Sequence, residues 1–348
     1  MRQKKQMKML GLLGLLAVLP IISACAGNKG SDESRKEKMV QSVSVVQPIT
    51  GTWINLAYKD VRNKYTNPQH FDNMDPKLWT AKVRELANMG IEYLVFMEVA
   101  NEGKAYYPSK LMPWLYNDKL QSPVDAILDE AAKHGMKVFM STGWAKDQDD
   151  NLLDPVIKER QLQIMEELAS LYKNHKAFYG WYLPVEDCLC PIFAEHAVQS
   201  VNALTEKAHS LTPGKKTLIS PYGIGLSEFD HPDFEKQMAK LKVDIIAYQD
   251  EVGCVRDKFT LPRLKKNWQR MRDIHNRLNI EMWANCETFT WEEGTNDRQS
   301  ALIPAAYSRL LSQQVAASVA GVDKIISFMF GGIIEDPKSA YQLGQPVW

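Results

Sequence analysis

Two glutamates close apolar runs in this chain. The first run reads Ala177-Phe-Tyr-Gly-Trp-Tyr-Leu-Pro-Val-Glu186, the second Ile280-Glu-Met-Trp-Ala-Asn-Cys-Glu287. Two carboxylates brought to one cleft are what glycosidic hydrolysis requires. One protonates the leaving oxygen, and the other attacks the anomeric carbon or activates water, through an oxocarbenium-like transition state. On this reading Glu186 is the acid/base and Glu287 the nucleophile, with retention of configuration. Either glutamate alone would equally fit a salt-bridged position at the end of a strand.

Strand parity favours chemistry. Successive side chains on a strand point to opposite faces. If Glu186 points inward, so do Pro184, Tyr182 and Gly180, while Val185, Leu183 and Trp181 point outward, where apolar bulk packs under helices. An inward Glu287 places Asn285 and Trp283 inside and Cys286, Ala284 and Met282 outside. The run before Tyr248 has no comparable alternation. Other carboxylates end apolar runs as well: Glu98, Asp250 with Glu251, and Asp187 directly after Glu186. Glu98 and Asp250 are candidate substrate ligands, each equally suited to a structural role. Asn55 and Asn285 could bind hydroxyl groups or satisfy one another. Trp144, Tyr222, Tyr248, Trp291, Trp114 and Phe289 fall on rim segments and could stack on sugar rings.

Such residues need a scaffold that gathers strand ends. Apolar runs over 52–57, 91–98, 137–141, 178–185, 217–220, 243–248, 281–286 and 324–329 alternate with helical stretches. The helices are expected over 76–89, 123–134, 155–174, 192–211, 233–241, 261–278 and 301–320. Asp75-Pro76, Ser122-Pro123 and Asp154-Pro155 place proline at the first helical position. Eight β-then-α units imply an α/β fold of the closed (β/α)8 TIM-barrel type, whose chemistry sits at the carboxyl ends of the strands. The eighth helix is the weak element, short or irregular, because little chain follows Phe330. An open doubly wound sheet is the rival, but it usually carries a glycine-rich turn after strand one, and residues 55–60 contain no glycine.

The first 25 residues read as an export signal, with a basic start (Arg2, Lys4, Lys5, Lys8) and an apolar stretch from Met9 to Ile22. Residues 26–47 are polar and read as a flexible tether, leaving 48–348 as the barrel domain. The whole chain balances 42 basic against 42 acidic residues, and loss of the signal leaves 38 against 42. No basic stripe suggests nucleic acid. No Ser-His-Asp set, His-x-His pair or nucleotide loop is present, so no cofactor is expected. His134, His175 and His209 fall near helix carboxyl ends, where the dipole favours a cation. For Cys188, Cys190, Cys254 and Cys286 the leading expectation is free thiols. A disulfide from the 188/190 loop to Cys254 comes second. A metal site comes last, since no histidine lies at zinc-type spacing.

Gly180-Trp-Tyr-Leu-Pro-Val-Glu186, Ala247-Tyr-Gln-Asp-Glu-Val-Gly253 and Trp283-Ala-Asn-Cys-Glu-Thr-Phe289 resemble segments of a family of bacterial lipoprotein TIM barrels. That family is catalogued as a domain of unknown function and described as glycosyl hydrolases, some labelled α-L-fucosidases. The likeness covers about residues 49–330. Ile22-Ser-Ala-Cys25 resembles the lipobox of such proteins, which implies a lipid on Cys25, a lipid-anchored place in the bacterial envelope, and membrane contact through that lipid alone. The wider resemblance is to glycosidases with the acid/base on strand four and the nucleophile on strand seven, matching Glu186 and Glu287. Val185 stands where that clan usually has asparagine. Asp187, the position a fucosidase nucleophile would need, has the wrong parity for the lumen. The implied substrate is a glycan. The alternatives are a non-catalytic glycan-binding lipoprotein and a hydrolase or lyase using a metal held by Glu98, Asp250 and a cysteine.

Overall fold

The computed structural model describes residues 46–56, 64–65, 75–101, 103–114, 121–144, 152–255, 260–294, 299–336, 338–339 and 341–343. The expected signal, the lipidation site Cys25 and the tether up to residue 45 lie outside the described residues. Eight parallel strands close a barrel: β1 (Ile49–Ile54), β2 (Tyr93–Phe96), β3 (Lys137–Ser141), β4 (Phe178–Tyr182), β5 (Lys216–Ile219), β6 (Ile245–Gln249), β7 (Glu281–Glu287) and β8 (Lys324–Phe328). Each strand pairs with its neighbours in sequence, and β8 closes onto β1 through Thr52 opposite Ser327. This is the expected (β/α)8 architecture.

The connecting helices are α1 (Pro76–Asn88), α2 (Pro123–Lys133), α3 (Pro155–Tyr172), α4 (Glu195–Leu211), α5 (Phe234–Met238), α6 (Leu261–His275) and α7 (Tyr307–Ala320). The first three start where the Asp-Pro and Ser-Pro pairs placed them. Asp75, Ser122 and Asp154 accept from the backbone N–H of Lys77, Asp125 and Val156, so each cap satisfies a donor the helix leaves open. α7 starts later than the sequence suggested, because residues Leu302–Pro304 pair as a short ribbon with Phe289–Trp291. A second ribbon, Ala100–Asn101 with Lys104–Ala105, follows β2. β4 is shorter than expected. Proline cannot extend a ladder, and at Pro184 the chain turns so that Val185 N–H reaches Leu183 O (2.8 Å). Among the described residues no helix follows β8. Residues 331–335 form turns instead, and buried Lys82 of α1 pairs with Glu335 (2.6 Å) and Glu85 (3.1 Å) to hold them.

The lumen is filled from below. Trp283 meets Tyr93 edge-on (5.1 Å between centroids) and Phe139 (5.8 Å), and Tyr179 joins both rings. The ammonium groups of Lys137 and Lys324 lie over Tyr93. Above this layer Trp53 meets Tyr182 edge-on (4.5 Å). The parity expected for β7 holds, and that for β4 holds from Gly180 upward; below it the register shifts between Phe178 and Gly180, so Tyr179 joins the lumen layer. Tyr182 and Trp283 are inside, whereas Trp181 points outward and donates to Thr212 at the end of α4 (2.8 Å). Gly180 lets the layers close, since a Cβ there would stand 2.4 Å from Lys216 O and 2.9 Å from the Phe139 ring.

Gly180→Ala is therefore expected to overpack the lumen, lowering stability by about 1–3 kcal/mol. Urea denaturation checks this; an unchanged midpoint would mean the barrel absorbs a methyl at that level without strain.

Candidate active site

The filled lumen leaves a cavity of about 300 Å³ at the carboxyl ends of the strands. Trp53, Met97, Tyr182, Phe289 and Phe328 form its apolar wall, and Asn55, Glu186, Ser220, Gln249, Cys254, Asn285 and Glu287 supply its polar atoms. Both glutamates singled out in the sequence reach this one space, although Glu186 lies past the turn at Pro184 and Glu287 is the last residue of β7.

Their surroundings differ. Glu186 accepts a hydrogen bond from Gln249 Nε2 (2.8 Å), and the same amide donates to Ser220 O (3.0 Å). Glu287 is buried, and its Oε2 accepts from Cys254 N–H (2.6 Å). The loop carrying Cys254 passes close over this carboxylate because residue 253 is glycine. A Cβ there would lie 2.5 Å from Phe289 O and 3.0 Å from Glu287 Oε2. Burial, then the neighbouring Asp250 carboxylate, pushes the Glu287 carboxyl up to about 8, against the opposing pull of the Cys254 N–H. Glu251 raises it further and the Arg309 guanidinium lowers it.

Asp250 is a correction to the sequence reading, which made it a substrate ligand. It is fully buried and faces away from the cavity. Oδ1 accepts from Glu287 N–H (3.1 Å) and Val252 N–H (3.3 Å), and Oδ2 from Gln313 Nε2 (2.6 Å) of α7. The reason is parity: Gln249, beside Asn285 in the β6–β7 register, takes the inward position and turns Asp250 outward. Tyr248 is corrected for the same reason. It is buried beneath α6, where it donates to His275 Nε2 (2.7 Å) and meets Trp268 edge-on.

Glu98 does not line the cavity either, although it lies near enough to Tyr182 to raise that phenol after burial and Glu186. Met97 lines the wall instead, while Glu98 Oε1 accepts from Leu56 N–H (3.0 Å), tying the end of β2 to that of β1. Trp144 is buried off the cavity, its backbone N–H bonded to Ala100 O (3.1 Å) of the ribbon that follows β2. Trp291 donates to Cys254 O (3.3 Å), so it braces the loop over Glu287 rather than the cavity. Tyr222 stands on the rim outside the wall, 40 % exposed, and partial burial, then the Asp187 and Glu186 carboxylates, raise its phenol. Asn55 and Asn285 do line the cavity. Asn285 donates to Ser220 Oγ (3.1 Å), and its buried Oδ1 has no hydrogen-bond partner among the described residues. That leaves an acceptor in the wall for a hydroxyl group. Asp187 lies off the cavity wall, bonded to Cys188 N–H (2.6 Å) and His196 (2.7 Å).

The expectation of free thiols fails for Cys188 and Cys190 and holds for Cys254 and Cys286. Cys188 and Cys190 form a disulfide with each other, their Cα atoms 5.2 Å apart, while Cys254 and Cys286 stand outside any disulfide. The segment after Glu186 is pinned to the rim by Leu189 N–H to Tyr222 O (2.8 Å) and Tyr222 N–H to Asp187 O (3.2 Å), and it curls so that its own two thiols meet. Cys254 is held over Glu287 instead. Among the described residues no three His, Cys, Asp or Glu side chains converge as a metal site, and Glu98 and Asp250 point to different partners.

Sequence reasoning missed Gln249, Ser220, Cys254, Met97, Trp53 and Phe328. Trp53 was within reach, since an inward Asn55 implies an inward residue two positions earlier. Gln249 was not, because its strand carries no polar alternation.

Burial holds His275 down to about 4. The neutral ring accepts from Tyr248 at Nε2 and donates from Nδ1 to Ile280 O (2.9 Å). A depressed imidazole contributes stability that is complete above its ordinary value near 6.5 and is lost as pH falls toward 4. The loss amounts to about 3 kcal/mol. An NMR titration of the ring near 6.5 would contradict this. Tyr248→Phe is expected to cost about 1 kcal/mol of stability and to leave ligand affinity unchanged, because Tyr248 is not in the cavity.

The chain is similar in sequence to named proteins. It is 29 % identical over 144 residues to a protein named glycosyl hydrolase DigH from Escherichia coli (strain K12), covering 37 % of this chain and 32 % of that one. The same figures hold for its namesake in Shigella flexneri. The chain thus spans about a third of the length of these curated relatives. Among solved structures, one described as a "putative alpha-L-fucosidase" from Bacteroides thetaiotaomicron superposes with a TM-score of 0.64 at 21 % identity, over 85 % of this chain and 91 % of that one. GH5_18 from Streptomyces cattleya, solved as a variant with Manb1-4GlcNAc, gives 0.54 at 13 %, over 84 % and 73 %. The GH99 endo-alpha-mannosidase from B. thetaiotaomicron gives 0.51 at 15 %, over 84 % and 85 %. At these identities the superpositions speak for the shared barrel alone. The family model described as a domain of unknown function, DUF4434, matches residues 49–341, and the chain belongs to that family.

Proposed function

We propose that this chain is a glycoside hydrolase in which Glu186 and Glu287 are the reacting pair. The observation that carries the reading is that both carboxylates enter one aromatic-walled cavity, each with a hydrogen-bond donor already in place. The relatives named glycosyl hydrolase, and the glycosidases that share the fold, support it. Glu186 protonates the glycosidic oxygen as that bond breaks. Glu287 attacks the anomeric carbon, and water, activated by Glu186, then releases the sugar with retention. The Cys254 N–H stabilises the ionised form of Glu287 that attack requires. Trp53 and Tyr182 offer ring faces, and Asn55 and the open Oδ1 of Asn285 bind hydroxyl groups. Tyr222 and Trp291 would contribute only where a glycan extends past the cavity. The sequence signal at Cys25 supports an exported, lipid-anchored enzyme. Mass spectrometry of the N-terminal peptide tests the anchor.

One observation favours the reverse order of roles: a carboxyl raised to about 8 is protonated at neutral pH and suited to donate a proton. The pH profile of kcat/KM decides. If Glu287 is the nucleophile, kcat/KM climbs as pH rises through about 8, and Asp250→Asn, by removing a neighbouring charge, moves that limb to lower pH. A falling limb at about 8 assigns Glu287 as the acid.

Across a panel of aryl glycosides and natural glycans, Glu186→Gln and Glu287→Gln are each expected to lose about 10²–10⁴-fold in kcat/KM, with unfolding midpoints preserved. Turnover surviving both substitutions would refute the pairing. Glycan binding without turnover in the wild type would make the barrel a binding module.

A further inference from the structure

Helix α7 carries large apolar side chains on its outer surface. Tyr307 is 74 % exposed, Leu311 38 %, Val315 38 % and Val319 44 %. They stand four residues apart along the whole helix, each turned by about 40° from the last, so they form one slowly winding stripe. The other exposed side chains of the helix are Ser308 and Ser312. Its sole charged residue, Arg309, is buried and donates to the carbonyl oxygens of Glu287 and Phe289. Single exposed apolar residues are ordinary on a soluble protein, but a continuous uncharged stripe marks a contact face.

We propose that this face lies on a lipid bilayer. The inference takes up the lipid anchor proposed above and adds an orientation to it. The chain enters the barrel against this same helix. Gln47 N–H bonds Ser318 Oγ (2.9 Å), Gln47 Nε2 bonds Val322 O (2.8 Å), and Gln314 Nε2 bonds Gln47 O (3.3 Å). Ser318 and Gln314 flank Val315 and Val319. A lipid on Cys25 is about 20 residues away from this point, a reach of at most about 70 Å, so the anchor presents the stripe to the bilayer at high effective concentration. The neighbouring α6 supplies the matching charge. Lys265 and Lys266 are exposed there, and lysines beside an apolar face favour anionic headgroups. A second copy of the chain could also cover the stripe, but it would not account for the chain entering at this helix.

The consequence is orientational. α7 runs from Tyr307, near the cavity end of the barrel, to Ala320, beside Gln47. If it lies along the membrane, the barrel axis lies roughly in the membrane plane. The cavity then opens sideways over the surface, toward glycans attached to or resting on it, rather than toward bulk solution.

Hydroxyl-radical footprinting of the exported full chain, with and without vesicles of phosphatidylethanolamine and phosphatidylglycerol, tests this. Modification of Tyr307, Leu311, Val315 and Val319 is expected to drop several-fold on vesicles. Val156, 77 % exposed on α3 across the barrel, serves as the reference and is expected to keep its reactivity. In Leu311→Ser/Val315→Ser/Val319→Ser, surface changes that leave the core intact, Tyr307 is expected to regain its reactivity on vesicles. Equal reactivity of stripe and reference overturns the proposal, whether or not the N-terminal peptide carries lipid. Protection that follows protein concentration rather than the presence of lipid also overturns it, in favour of self-association. Protection on vesicles without an N-terminal lipid supports the docking face while removing the anchor, so the two readings fail separately.

Discussion

A carboxylate withdrawn from water at the end of β7 is the constraint around which the upper barrel is arranged. Burying such a group is unfavourable unless donors meet it, and the Cys254 N–H of the β6–α6 loop donates to the carboxylate itself. The backbone on either side is tied as well: the Glu287 N–H donates to Asp250, just after β6, while Arg309 and Gln313 of α7 donate to the Glu287 carbonyl oxygen and Gln313 also to Asp250. Asp250 and Glu287 are two acidic groups joined through the Glu287 backbone N–H, both raised mainly by burial. Burial and the Asp250 charge therefore favour the protonated form of Glu287, and a carboxyl perturbed in this way within a cleft is a mark of a functional position.

The rest of the lumen serves that arrangement by elimination of space. The lower barrel is packed with Tyr93, Phe139, Tyr179 and Trp283. Trp53 and Tyr182 form the next level, and the cavity begins where these rings stop. Interiors pack to crystal-like density, so a hollow of this size bearing two carboxylates on one side of a filled barrel is a built feature. Gly180 below and Gly253 above mark the two levels at which a methyl group would be too much.

The rim has its own bracing. The Cys188–Cys190 loop, its pairing with Tyr222 and the Asp187–His196 contact fix the segment immediately after Glu186. On the other side, the ribbon of Phe289–Trp291 with Leu302–Pro304 and the Trp291 bond to Cys254 O fix the segment after Glu287. Both candidate groups thus sit at the start of cross-tied loops rather than on free strand ends, which keeps their geometry while leaving the cavity mouth open.

Much of this was legible in the chain. Alternation on β4 and β7 assigned Glu186, Glu287 and Asn285 to the inside, because a strand buried on its outer face by helices must place its bulky apolar residues there. Pro-initiated helices announced three starts through the chemistry of their caps. What the sequence could not supply was register and loop path. Whether Gln249 or Asp250 faces the lumen depends on how β6 pairs with β7, since a shift of one residue exchanges the two faces. Which cysteine meets which depends on where two rim loops run in space. The fit of Gly253 against Glu287, and the burial that lifts its carboxyl, exist only once α7 and the β6–α6 loop have closed over the end of the strand. Local spacing determined the elements and the candidate carboxylates; long-range packing decided their partners, their protonation and the cavity they share.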